Sequence, residues 1–144
     1  MASLLQDIVL EKDLATITSF EELECWKDAR ILCFEIGKLI TDQRFGKNFS
    51  LISQIERSSG SIMDNIAEGF NRGSRKDFIS FLSYSKGSAG EVRSQLSRAL
   101  DLNYITPEEH KVLIELAGKI ERQRMGLIKY LKNTTYAGSI RKTE

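Results

Sequence analysis

From Leu51 to Gly69 the chain reads LISQIERSSGSIMDNIAEG, a segment in which apolar and small residues recur every third or fourth place. Ile52, Ile55, Ser59, Ile62, Ile66 and Gly69 share one face of an α-helix. Gln54, Arg57, Ser61, Asn65 and Glu68 step in the same way and form a second, polar line about a quarter-turn from the first, at about 100° per residue. A helix that only covers a core does not need an ordered polar line beside its apolar stripe. Either the line is a solvated face or it is held at a helix–helix or subunit seam.

The rest of the chain extends this helical reading. It has 144 residues, enough for one domain with its own core. Pro107 is the single proline, and no Gly/Ser/Pro-rich stretch exceeds a turn, which favours long helices over many short strands. The expected class is all-α. Lysine and arginine number 21 against 20 acidic residues, so the net charge of +1 gives no global pull toward nucleic acid or membrane. No apolar run approaches the roughly 20 residues of a membrane span. Cys25 and Cys33 stand eight places apart on one expected helix, about 12 Å along its axis at 1.5 Å per residue, too far for a disulfide. Two free thiols and an N-terminus without a signal-peptide pattern point to a cytoplasmic protein with no membrane partner.

Four helices are marked by their punctuation. The first is expected at about 20–42, started by Ser19 with Glu22 in capping-box position. Leu23, Trp26, Ala29, Cys33, Ile36 and Ile40 form its inward stripe; Cys25, Ile31, Leu32 and Phe34 beside it widen the apolar surface enough for a second contact. The second helix spans about 49–69. Asn71-Arg72-Gly73-Ser74 is a tight turn, after which Ser74 and Asp77 start a third helix over about 75–102. So short a connection makes these two antiparallel neighbours. Gly87 and Gly90 cost helix propensity, a cost more easily tolerated if another helix approaches closely there. Thr106-Pro107-Glu108-Glu109 starts the fourth helix, about 107–131, with Leu113, Leu116, Ile120, Leu127 and Leu131 inward and an interruption at Gln123 and Arg124. The bundle thus occupies 19–131; an extension, 1–18, and a polar tail, 132–144, lack a clear periodicity and are expected to be mobile.

The third helix repeats the two-line pattern, with Tyr84, Ser88, Glu91, Gln95 and Arg98 beside its apolar stripe. If the two helices face each other antiparallel, both polar lines come to the same side. This places Arg57 near Ser88 and Glu91, predicts an Arg57–Glu91 ion pair, and brings Ser61 to Tyr84 or Ser88. Small residues mixed with amides and charges also suit a subunit interface. Two basic clusters are candidate phosphate sites: Arg72, Arg75 and Lys76 at the start of the third helix, and Lys119, Arg122, Arg124 and Lys129 on the fourth. Asp77 and Glu121 lie close to them.

Catalytic signals are sparse. A di-iron bundle needs Glu-x-x-His pairs, and the chain's single histidine, His110, has Pro107 at that position. One histidine also leaves little scope for a zinc site or a Cys–His nucleophile. There is no P-loop and no dinucleotide fingerprint. No cofactor is expected. Trp26, Phe34, Phe78 and Phe81 follow helical periodicity and are expected as core or interface fillers rather than base-stacking platforms.

The chain resembles the four-helix-bundle family associated with intervening sequences of bacterial 23S ribosomal RNA genes. The resemblance runs from Phe20-Glu21-Glu22-Leu23, Trp26 and Ala29 through Gln54-Ile55, Arg57, Ser61 and Asn65-Ile66-Ala67-Glu68-Gly69-Phe70. It continues through Ser74, Lys76, Phe78, Phe81-Leu82, Gly87-Ser88, Glu91 and Tyr104-Ile105. It implies an antiparallel up-down-up-down bundle that assembles as a homopentamer around a central channel, with no known reaction. A non-enzymatic scaffold presenting repeated surfaces to RNA, ribosome or protein is the expected function. The family is also similar to accessory proteins of diversity-generating retroelements, which implies an alternative role beside a reverse transcriptase and nucleic acid. Those relatives are typically basic, whereas this chain is near neutral. A metal-dependent enzyme is the remaining alternative.

Overall fold

Capping residues set where the helices begin. In the computed structural model, which describes residues 16–133, four helices follow in order: α1 (Glu24–Thr41), α2 (Phe49–Arg72), α3 (Arg75–Asp101) and α4 (Pro107–Asn133). Asn48 accepts the Leu51 N–H at 3.1 Å, and Ser74 accepts that of Asp77 at 3.1 Å. Thr106 accepts the N–H of Glu109 while the Glu109 carboxylate takes that of Thr106, a reciprocal capping box. Gly73 ends α2 in the left-handed region, at φ 82°, where a Cβ would be strained. The extension and tail expected beyond the bundle fall almost wholly outside the described residues.

The first helix differs from expectation at its start. The backbone N–H of Ser19 donates to Glu22 at 3.1 Å, but the box closes only a 3-10 turn, Phe20–Glu22. Leu23 is then extended, at φ −72° and ψ 128°, and α1 begins one residue later. Fully buried Leu23 and the edge-to-face pair of Phe20 and Trp26, 5.1 Å between centroids, give this kink its reason: the bend turns both apolar side chains onto the bundle.

Each helix packs against two neighbours, α1 on α2 and α4, and α3 likewise on α2 and α4. Contacts across the pairs show that neighbours run antiparallel. Gln54 near the start of α2 meets Arg98 near the end of α3, whereas Gly69 near the end of α2 meets Phe78 near the start of α3. Arg124 reaches Leu82, and Ser97 lies beside His110. Ile36, Ile55, Ile62, Leu82, Leu96 and Ile120 are among the side chains closing the centre, each at most 1% exposed. The core face of α1 is Cys25, Ala29, Leu32, Ile36 and Leu39, whereas Cys33 and Ile40 of the expected stripe are only half-buried. The stripe is turned because α1 must serve two partners. Cys33 faces α2, its thiol donating to the Ser59 carbonyl at 3.2 Å, while Asp28 faces α4.

At one end the two connectors are laced together. Arg44, from the α1–α2 connector, makes a bidentate pair with Glu109 at 2.6 and 2.9 Å. Asn48 donates to the Tyr104 hydroxyl, and Phe45 meets the Tyr104 ring edge-on. The Arg44 guanidinium, followed by the Thr106 N–H, holds the Glu109 carboxyl down at about 2, below its ordinary 4.5. A depressed carboxyl pKa stabilises the fold above the ordinary value, and that contribution is lost as pH falls from 4.5 toward 2. Glu109→Gln is therefore expected to cost about 1 kcal/mol at neutral pH, after allowance for solvent screening of a part-exposed pair. In urea titrations across pH, the gap from the parent protein should shrink through that acid window.

Glycines mark both close and open places. Gly69 is close: a Cβ there would meet the Phe81 Cβ at 2.7 Å. Gly87 and Gly90 are open, with nothing within 4 Å, so the helix expected to approach them is not part of this chain's own packing. Without such a contact, Gly90→Ala should gain about 0.5–1 kcal/mol from helix propensity alone, readable as a rise in urea midpoint.

Candidate functional site

The polar lines of α2 and α3 come together, and the structure sorts their members. Arg98 donates to Gln54 at 2.9 Å, and Ser88 donates to Ser61 at 3.0 Å. Asn65 turns back along its own helix, donating to the carbonyl and hydroxyl of Ser61. Gln95 is buried and accepts from Ser58. Ser85 donates to the Ile62 carbonyl at 3.1 Å. The result is a ladder of neutral hydrogen bonds that fixes the register of the pair, with a single charged rung at its solvent edge.

The expected Arg57–Glu91 ion pair does not form; both side chains are exposed and neither joins an ion pair among the described residues. The rung occupied is Ser58–Gln95, and one residue along a helix turns a side chain by about 100°. Arg57 therefore lies on the outer face of α2. Glu68 pairs within its helix with Arg72 at 3.0 Å, and Tyr84 is 59% exposed with its ring edge-on to Phe81.

Both basic clusters are altered by their neighbours. Arg72 is held by Glu68 and lies over the Phe81 ring at 5.2 Å, beside Arg75 and exposed Lys76 at the start of α3. In the second cluster Arg124 is not a surface cation. It is 2% exposed, bound through Nε and Nη2 to Glu121, and donates to the Leu82 carbonyl at 3.3 Å. Lys119 is paired with Asp28 at 3.3 Å, so Arg122 and Lys129 alone of that cluster remain outside ion pairs among the described residues.

A buried node joins α1 to α4. Asp28, 7% exposed, receives Gln123 Nε2 at 2.8 Å and Lys119 Nζ at 3.3 Å on the same carboxylate oxygen. The Gln123 carbonyl oxygen is buried without a hydrogen-bond partner among the described residues. The signal for this node was the break in the α4 stripe at Gln123 and Arg124: polar residues stand at inward positions because they reach partners on other helices. Nothing in the α1 sequence marks Asp28 as their recipient.

Burial pushes the Cys25 thiol up to about 12, and burial raises Cys33 as well, so neither is an activated nucleophile. Half-buried His110 has Ser97 Oγ at 3.5 Å from its ring nitrogen. Among the described residues no three His, Cys, Asp or Glu side chains gather as a metal set. None of their helices is long and apolar enough to cross a membrane. Outside the core, the outer face of α2 forms a shallow depression of about 500 Å³ bordered by Glu56, Arg57, Gly60, Asp64 and Glu68.

Fold and site together define an all-α four-helix-bundle protein whose organised polar features are interhelical seams. The chain belongs to the 23S rRNA-intervening sequence protein family, whose model matches residues 21–126. It is similar to a crystal structure from Bacteroides thetaiotaomicron VPI-5482, described as a protein with unknown function from the S23 ribosomal protein family. The two are 27% identical with a TM-score of 0.68, covering 73% of this chain and 98% of the other. A search of curated proteins gave no match.

Proposed function

We propose that the protein is a non-enzymatic homo-oligomeric scaffold of the cytoplasm, a pentamer on the pattern that its family resemblance implies. The observation that carries this reading is the apolar surface left outside the core. Ile31 and Phe34 on α1 are 48% and 64% exposed, although the centre of the bundle is already closed. Side chains of this size, grouped on one helix face, gain free energy when a partner covers them. The free thiols suit a reducing compartment. In a ring, the surface around Arg72, Arg75 and Lys76 would be repeated once per subunit, so a weak contact with RNA or a ribosomal surface gains through multivalency.

Native mass spectrometry and sedimentation velocity of the full chain test the assembly. A discrete oligomer that persists on dilution supports the scaffold, and a monomer at micromolar concentration overturns it. Copurification of stoichiometric transition metal would instead favour an enzyme.

A further inference from the structure

Two faces of the bundle are unlike ordinary solvated helix surfaces, and they complement each other. The outer face of α1 carries Lys27, Arg30, Ile31, Phe34 and Lys38, all exposed. Lys27 and Lys38 pair there with Glu24 and Glu35, and the centre is the Phe34 ring, over which Lys38 lies at 5.2 Å. The outer face of α2 forms most of a shallow groove that Phe81 of α3 also lines, and nothing lies within 4 Å of where a Cβ on Gly60 would stand. Glu56, Asp64 and Glu68 border it, with Arg57 as the one cation among its lining residues. Among the described residues Glu56, Asp64 and Arg30 join no ion pair, and the Arg30 guanidinium lies over the Trp26 ring at 5.8 Å.

The order of residues matches as well as the charge. Laid antiparallel with Phe34 at Gly60, α1 brings Arg30 level with Asp64, Lys38 level with Glu56, and Lys27 close to Glu68. Glu56 and Asp64, which join no ion pair among the described residues, then meet cations, while Glu68 already pairs with Arg72. This register is also the one that a ring requires. Within one chain α1 and α2 are antiparallel with Cys33 level with Ser59. In a ring whose axis runs along the bundle, each copy sits at the same height, so α1 of one copy must meet α2 of the next at nearly that register. The two differ by two residues, about 3 Å at 1.5 Å per residue, within reach of lysine and arginine side chains. Because α1 and α2 are adjacent corners of the bundle, their outer faces look in different directions, and a head-to-tail contact between them turns each copy relative to the last.

We propose that the Phe34-centred face of α1 docks head to tail and antiparallel into the Gly60 groove on α2 of a second copy of this chain. Arg30 then pairs with Asp64 and Lys38 with Glu56. The Lys27–Glu24 and Lys38–Glu35 pairs present in the single chain are exposed i,i+3 pairs and yield readily to interfacial partners. Gly60 stays open because the Phe34 ring needs its space, which gives a mid-helix glycine a reason that the single chain does not supply. The ring fills an apolar contact at the centre, and the charges around it select register and partner.

This inference rests on the homo-oligomeric reading, and the test separates the two. Sedimentation velocity is run on the full chain and on Phe34→Glu, Gly60→Leu, Asp64→Arg and Arg30→Asp/Asp64→Arg. Helicity by circular dichroism and urea midpoints on the same samples report folding. All these side chains or positions are exposed or open, so the variants keep their helicity, and Gly60→Leu is at least as helical as the parent. The expected result is an oligomer for the parent, a rise of tenfold or more in dissociation constant for each single variant, and recovery of most of the assembly in the charge-swapped double variant. A monomeric parent overturns both readings. An oligomeric parent whose single variants assemble unchanged keeps the scaffold and overturns this interface. Single variants that weaken assembly without rescue by the charge swap overturn the antiparallel Arg30–Asp64 register.

Discussion

Glu121→Ala is expected to lower the unfolding free energy by about 3 kcal/mol, far more than deletion of a carboxylate that is partly accessible to solvent ordinarily costs. The effect comes from Arg124, whose guanidinium is carried into the interior on a side chain only 2% exposed. Glu121 provides both carboxylate oxygens to its guanidinium, at 3.0 and 3.1 Å; the Leu82 carbonyl, at 3.3 Å, is its other hydrogen-bond acceptor among the described residues. Removing the carboxylate leaves a desolvated cation facing one neutral acceptor. The double variant Glu121→Leu/Arg124→Met removes both charges and should recover most of the loss, since an apolar pair of similar volume needs no compensation. Urea unfolding at one fixed protein concentration reads both, with a midpoint fall of about 1–2 M expected for the single variant if the slope is about 2 kcal/mol/M. Equal losses in the single and double variants would show that Arg124 acts through its packing and not its charge.

Gly69→Val should be the most damaging change on the α2–α3 pair, costing about 3 kcal/mol. A Cβ at this position would stand 2.7 Å from the Phe81 Cβ, 3.1 Å from Phe78 Cδ1 and 3.4 Å from the Phe78 Cα. None of these atoms is the free end of a flexible chain. The Phe81 Cβ is fixed to the α3 backbone, and Phe78 is fully buried, edge-on to Phe70 at 5.8 Å. Relief requires the two helices to part, just where the Asn71–Ser74 turn holds them closest. Gly69→Ala should cost less, because about 1 kcal/mol of helix propensity offsets part of the clash. The order Gly69→Val, then Gly69→Ala, then parent and finally Gly90→Ala in rising urea midpoint is the expected series. A neutral Gly69→Val would mean that the helices separate freely at the turn.

The particular residues that were readable in the sequence share a physical character. Ser74, Thr106 with Glu109, and Gly73 act on backbone groups within four residues of themselves, so their effects are encoded locally; α3 and α4 begin, and α2 ends, where those signals stand. Ser61 and Ser88 could be matched because a short turn fixes the direction of the pair and helical periodicity fixes the face. Arg57 and Glu91 failed for a related reason: periodicity places a side chain to within a face, whereas an ion pair demands the right rung, and the rung is set by Ser58 and Gln95. Ser19 and Glu22 mark a helix start correctly in chemistry, but the helix they start is a single turn because burial of Leu23 bends the chain. Asp28, Lys119 and Gln123 lie on helices separated by most of the chain, and their meeting has no local signature.

The sequence by itself determined the helical class, most helix boundaries, the antiparallel pairing of α2 with α3, and the side of that pair on which Gln54 meets Arg98 and Ser61 meets Ser88. All of these follow from interactions between residues close in the chain, or from a connection too short to allow another path. The tertiary structure decided which rungs of the seam close, that Arg124 is a buried structural cation, that Asp28 gathers Lys119 and Gln123, and that Gly69 is tight while Gly60 and Gly90 are open. Those outcomes depend on the rotation and height of one helix against another. The packing of all four helices sets them together.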